Sequence, residues 1–202
     1  KKKFYKIPIY SKNLLLEEVN LFFKWYVPHI FNKKKRFKIN SQLRKVISSL
    51  LKKIKLPNNT FVHRDFHVSN LMLKKRVISV IDSQDAVYGN IAYDLASLID
   101  DVRLRTSKNM KEMIYKEYLY LNKKKINIKK FKNDFEILSV LRNLKIIGIF
   151  TRLANRDNKK QYLKLIPHAW ELIELRIKNN YIFKDLKKNL ETNFPKKIRI
   201  KK

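Results

Sequence analysis

The chain has 202 residues, with 48 Lys plus Arg against 17 Asp plus Glu, a formal net charge of +31, 45% hydrophobic residues and no cysteine. Its hydrophobic content is enough for a packed core and excludes wholesale disorder, while the lack of thiols excludes disulfide scaffolds, thiolate nucleophiles and cysteine-ligated zinc and fits a cytoplasmic location. No apolar run approaches the ~20 residues of a spanning helix, because the most apolar stretch, 144–153, is interrupted by Lys145 and Arg152, and the N-terminus lacks the uninterrupted hydrophobic region of a signal peptide.

Ser11 is placed to cap a helix reaching about Pro28, with Leu14, Leu15, Val19, Phe22, Phe23 and Tyr26 on one face. A second helix is predicted over Ser41 to Lys53, where Leu43, Val46, Ile47, Leu50 and Leu51 form the apolar stripe, and Pro57-Asn58-Asn59 closes it in a turn. The texture then becomes β-like. Thr60-Phe61-Val62, Leu71-Met72-Leu73 and Val77-Ile78-Ser79-Val80-Ile81 are short strands, the last two joined by a turn at Lys74-Lys75. From Tyr93 on the pattern is helical, over about 93–103, 107–121, 129–154 and 158–178, with a weaker piece after Phe183 and a Lys-rich end expected to fray. The fold class is therefore α+β and mainly helical, without internal repeats.

The charge alone suggests phosphate binding. Lysines, however, are spread along nearly every segment, Arg is much rarer than Lys, and Lys, Asn, Ile, Phe and Tyr are abundant while Gly and Ala are scarce, the usage expected of AT-rich coding DNA. The charge is read as a solvated surface, and no specific nucleic-acid partner is expected.

The chemistry is concentrated in His63-Arg64-Asp65-Phe66-His67-Val68-Ser69-Asn70 and, after a short hairpin, Ile81-Asp82. Phosphoryl transfer requires a carboxylate to orient and deprotonate the attacking hydroxyl, and oxygen ligands for the Mg²⁺ that neutralises the phosphates. Asp65 follows a strand and can project into a cleft, and Asn70, five residues on, offers a neutral oxygen suited to Mg²⁺. Asp82 offers a charged one. A hairpin between Asn70 and Asp82 would bring both to one end of a small sheet, near Asp65. Singly, each residue is as well explained by a turn, a cap or a structural histidine; the combination carries the reading.

This stretch resembles the catalytic core of the aminoglycoside phosphotransferase-like kinases, a branch of the protein-kinase-like fold acting on small molecules. His67 stands where that family typically has His, and Ile91-Ala92-Tyr93-Asp94-Leu95-Ala96 looks like the motif opening its next helix. The resemblance implies that Asp65 is the catalytic base and that Asn70 and Asp82 hold Mg²⁺. It makes Asp94, with His63, Arg64 and His67, a structural support of the catalytic loop. Asp82-Ser83-Gln84-Asp85-Ala86, Asp100-Asp101-Val102-Arg103, Arg142 to Phe150 and Ile166-Pro167 before Trp170 look, further, like the bacterial kinases that phosphorylate N-acetylmuramate or N-acetylglucosamine at the anomeric hydroxyl. Asp85 and Arg103 are candidate substrate contacts, with a surface ion pair or helix cap as the competing role for each.

By this resemblance, residues 1–202 are a single protein-kinase-like C-terminal lobe. The catalytic loop and metal site occupy 60–94, a helical subdomain 95–190 and a basic tail 191–202. Gly89 and Gly148 are the only glycines, so no glycine-rich phosphate loop can be written, and nothing before Ser11 has room for an N-terminal lobe. With no initiator Met, the chain is expected to be a fragment, inactive alone, whose ATP clamp lies in a missing N-terminal lobe. Ser83 stands where relatives usually carry an aromatic residue.

Two functions are compatible with these features. One is an ATP-dependent, Mg²⁺-using kinase of a small amino sugar in cell-wall recycling. The other is a catalytically silent kinase-like module binding a polyanion, for which acidic groups in the cleft would be unnecessary. A protein kinase lacks support, since Ser83-Gln84 replaces the Phe-Gly expected after the metal-binding Asp. Oligomeric state is not legible in the sequence.

Overall fold

A computed structural model describes residues 6–124 and 126–200. The described residues pack as two compact units, one within Lys1–Ser11 and Lys55–Leu138, the other within Lys12–Ile54 and Ser139–Lys202. The region 60–94 lies wholly in the first unit, whereas 95–190 is divided between them at Leu138. The protein is mainly helical with a small antiparallel β component, as its composition and periodicity indicate.

In the second unit, α1 (Lys12–Leu21) continues through a π-helical stretch at Phe22–Tyr26 into α2 (Val27–Ile30). The π turn begins where α6 (Ile128–Arg156) presents Gly148. A Cβ built on Gly148 would lie 2.3 Å from the carbonyl carbon of Leu21 and 2.4 Å from the nitrogen of Phe22. Those atoms are helical backbone and cannot swing aside. Gly148→Ala is therefore expected to destabilise the fold by about 1–3 kcal/mol, as overpacking typically does, and to lower the thermal midpoint followed by circular dichroism. An unchanged midpoint would contradict the close approach.

Helix α3 spans Lys33–Lys52, two turns more than the apolar stripe indicates. Its first turn, Lys33-Lys34-Lys35-Arg36, carries no apolar periodicity, but the Asn32 side chain caps it by accepting from the Lys35 N–H at 3.1 Å. The expected helix over 158–178 resolves into a 3₁₀ stretch, Lys160–Leu165, followed by α7 (Ile166–Ile177). Pro167 is the reason, since it is tolerated in a first helical turn and not within a helix. Of the Lys-rich end expected to fray, residues 201–202 lie outside the described residues, and the part up to Ile200 is packed. Beyond α8 (Lys184–Asn193), Phe194 is fully buried among Phe22, Tyr26, Phe31 and Trp170. In α9 (Lys196–Arg199), Arg199 lies over the Trp170 ring and pairs with Glu174 at 2.6 Å. One aromatic and one arginine thus anchor a tail that its lysine content alone would leave in solvent.

In the first unit, β1 (Asn58–Val62) pairs antiparallel with β4 (Val87–Asn90), Val62 opposite Val87. The edge of β4 is extended by Pro8 to Tyr10, whose backbone exchanges 2.8 Å hydrogen bonds with Tyr88. A separate hairpin is formed by β2 (Leu71–Lys74) and β3 (Val77–Val80), with Leu71 opposite Val80. Its turn residues are Lys75 and Arg76, one position later than the sequence indicates, both at positive φ (46° and 65°) as a two-residue hairpin requires. Helix α4 (Tyr93–Ile99) follows β4 directly, and α5 (Lys108–Leu121) begins after the Ser107 cap. Asp134 of α6, fully buried, accepts from the N–H groups of Lys55 and Leu56 and from the Asn90 amide, tying the approach to β1 to the end of β4.

Candidate active site

β1 and β4 pair antiparallel, so the end of β1 at Val62 lies opposite the start of β4 at Val87, and the helix entered after β4 comes back to the loop that follows β1. His63, Arg64 and Asp65 follow the first; Asp94 sits in the first turn of the second. The Asp94 carboxylate accepts the His63 N–H at 2.7 Å and the Arg64 N–H at 3.1 Å. Arg64 is held there at φ 71°, a left-handed conformation that costs a side-chain-bearing residue about 1–3 kcal/mol. Its guanidinium donates to the Asp85 carbonyl at 3.1 Å and lies over the Tyr10 ring.

Beyond Arg64 the backbone closes on itself. His67 N–H donates to the Asp65 carbonyl at 3.0 Å and Asn70 N–H to the His67 carbonyl at 2.9 Å, ending in a 3₁₀ turn at Val68–Asn70. The Asn70 amide nitrogen also donates to the Asp65 carbonyl, at 2.9 Å. That bond fixes the flip of the amide, so Oδ1 is the atom turned away from the loop.

The hairpin returns the chain to the same place. Ile81 N–H donates to the Asn70 carbonyl at 3.1 Å, putting Asp82 next to Asn70 at the open end of β2 and β3. The Ile81 carbonyl lies 2.9 Å from His63 Nε2. A carbonyl only accepts, so Nε2 carries the proton, and buried His63 joins the start of the loop to the residue before Asp82. Asp82 is itself left-handed, at φ 70°.

The side chains of half-buried Asp65 and exposed Asp82 make no hydrogen bond or ion pair among the described residues, and neither does Asn70 Oδ1. No cluster of three or more acidic or imidazole side chains able to hold a metal occurs among the described residues. A cation here would be held by the Asn70 amide oxygen and the Asp82 carboxylate, hard donors suited to Mg²⁺ when water and phosphate oxygens complete its shell.

The candidate substrate-side residues are placed differently. Asp85 uses its carbonyl for Arg64, and its side chain is exposed. Arg103 is ion-paired to buried Asp101 at 3.5 Å. The Ser83 carbonyl accepts the Ala86 N–H at 3.0 Å, closing a turn just after Asp82. Sequence reasoning gave no role of their own to two buried carboxylates, Asp101 and Asp134. The available signal was an Asp set among apolar residues, Ile99 and Val102 for the one and Phe131 and Phe135 for the other.

The loop, the hairpin and the brace from α4 form one candidate site, and comparison with known proteins gives its family. The chain belongs to the phosphotransferase enzyme family, whose model matches residues 14–124. It is 33% identical to the N-acetylmuramate/N-acetylglucosamine kinase of Neisseria meningitidis serogroup B over 166 residues, which is 80% of this chain and 50% of that protein. The proteins of the same name from Pseudomonas putida and Pseudomonas aeruginosa are 32% and 27% identical, over 83% and 85% of this chain and 51% and 52% of their own lengths. The chain thus spans about half the length of the curated relatives it matches. Among the described residues no helix is long and apolar enough to cross a membrane.

Proposed function

We propose that this chain carries the catalytic base and metal ligands of an ATP-dependent sugar kinase, with N-acetylmuramate or N-acetylglucosamine as acceptor. The observation supporting it most is the set of uncommitted oxygens: in a chain with 48 cationic residues, Asp65 and Asp82 make no ion pair among the described residues while the Asp65, His67 and Asn70 carbonyls beside them accept hydrogen bonds. The acceptor is inferred from the names of the relatives and from chemistry, because an anomeric hydroxyl is more acidic than an ordinary alcohol and a carboxylate suffices as its base.

In this reading Asp65 orients the sugar hydroxyl and accepts its proton as the oxygen bonds to the γ-phosphorus and the bond to ADP breaks. Asn70 Oδ1 and Asp82 would hold Mg²⁺, which when bound neutralises phosphate charge. Asp94, Arg64 and His63 hold the loop so that these groups need no rearrangement at the moment of reaction. His67 contributes through its backbone.

Mn²⁺ titrated into the isotope-labelled chain tests the metal site separately from turnover. Paramagnetic broadening is expected to centre on Asn70 and Asp82 and to vanish in Asp82→Ala. Broadening centred elsewhere, or unchanged by Asp82→Ala, would contradict the assignment.

A further inference from the structure

Asp94 secures one end of the loop, and the structure places a second carboxylate at the other. Asp101, two residues beyond the end of α4, is only 2% exposed. Its Oδ2 accepts the Val68 N–H at 3.1 Å, and Oδ1 accepts the Arg103 N–H at 3.0 Å and faces the Arg103 guanidinium at 3.5 Å. Val68 is the first residue of the 3₁₀ turn that ends in Asn70.

We infer that Asp101 is a positioning residue, the second jaw of a clamp in which Asp94, in the first turn of α4, grips His63 and Arg64, and Asp101, just past its end, grips Val68 and so fixes the turn that carries the Asn70 oxygen. The seven residues of α4 span about 10 Å at 1.5 Å per residue, with Asp94 in the first turn and Asp101 two residues past the last, so the helix sets the spacing of the two jaws. Three features of Asp101 suit the role. The Asp101 side chain is buried, so water competes little for its oxygens and its bond to the Val68 amide is strengthened. The Arg103 guanidinium and N–H engage the other carboxylate oxygen, so Asp101 is not offered to the cation in competition with Asp82. The adjacent Asp100, fully buried, is turned to Lys111 of α5, which fixes the turn from which Asp101 projects.

The effect on metal binding rests on the reading of Asn70 as a ligand; the clamp itself does not. Two variants separate acceptor from charge. Asp101→Asn keeps an oxygen for the Val68 N–H, whereas Asp101→Leu fills the buried volume without one. Amide hydrogen exchange of the wild-type chain is expected to show Val68 protected despite its exposed side chain. In Asp101→Leu that amide should exchange about ten-fold faster or more, as expected for loss of a bond to a charged group, with Mn²⁺ affinity falling about as much. Asp101→Asn should restore both to within about three-fold of wild type.

Fast exchange of Val68 in the wild-type chain would overturn the clamp even if Asp101→Leu does not fold. Equal damage in Asp101→Asn and Asp101→Leu would overturn it too, by assigning the effect to charge pairing with Arg103. If Val68 is protected by Asp101 but Mn²⁺ does not reach Asn70 in the wild-type chain, the jaw stands as a structural device, and the metal reading falls together with the positioning role built on it.

Discussion

Asp65→Asn is expected to lower sugar-dependent ADP release, in protein expressed from the complete reading frame, by about a hundred- to ten-thousand-fold, the usual worth of a positioned general base. An amide has nearly the size of the carboxylate but cannot take the proton. The substitution leaves the loop intact, because the bonds Asp65 makes within it come from its backbone carbonyl, which receives the His67 N–H and the Asn70 amide. KM for the sugar should therefore change little while kcat falls. A variant retaining activity within a few fold would exclude Asp65 as the base.

Asp94→Ala should damage both stability and turnover. The wild-type carboxylate accepts two backbone N–H groups, and hydrogen bonds to charged acceptors are each worth about 1.5–3 kcal/mol. Asp94 is partly exposed, and water replaces it in part, so a loss of about 2–4 kcal/mol is expected. The backbone bond that holds the Arg64 N–H at φ 71° would then be lost, and relaxation of that residue displaces Asp65 by its neighbour's motion. A displaced base should reduce kcat by about a hundred-fold. An independent signature comes from Tyr118, whose hydroxyl is pushed above the usual tyrosine range by burial first and by the Asp94 charge second. Neutral Asp94→Asn should bring the Tyr118 titration partway down, read by tyrosinate absorbance. An unchanged Tyr118 would contradict the placement of that charge.

Local patterns made much of this molecule legible. The candidate site stood out because its spacing, from Asp65 to Asn70 and through the hairpin to Asp82, is set by short-range backbone geometry. The long helices could be read because their apolar faces repeat at helical spacing. What stayed hidden depends on partners distant in the chain. Strand β4 is four residues containing Gly89, and only pairing with β1 and with Pro8 to Tyr10 makes it a strand. The π-helical stretch at Phe22–Tyr26 faces Gly148, more than a hundred residues away. Phe194 gave no sign in a lysine-rich tail that it would complete an aromatic cluster. Asp101 and Asp134 look like surface acids until their backbone partners arrive.

The most direct test of the central claim is ³¹P NMR of the product formed from MgATP and N-acetylmuramate or N-acetylglucosamine by protein from the complete reading frame. The account expects a new phosphomonoester coupled to the anomeric proton, formed with ADP and absent from the Asp65→Asn reaction. Intact ATP with both sugars, under conditions where the protein is folded and binds Mn²⁺ at Asn70 and Asp82, would contradict it and favour a silent binding module.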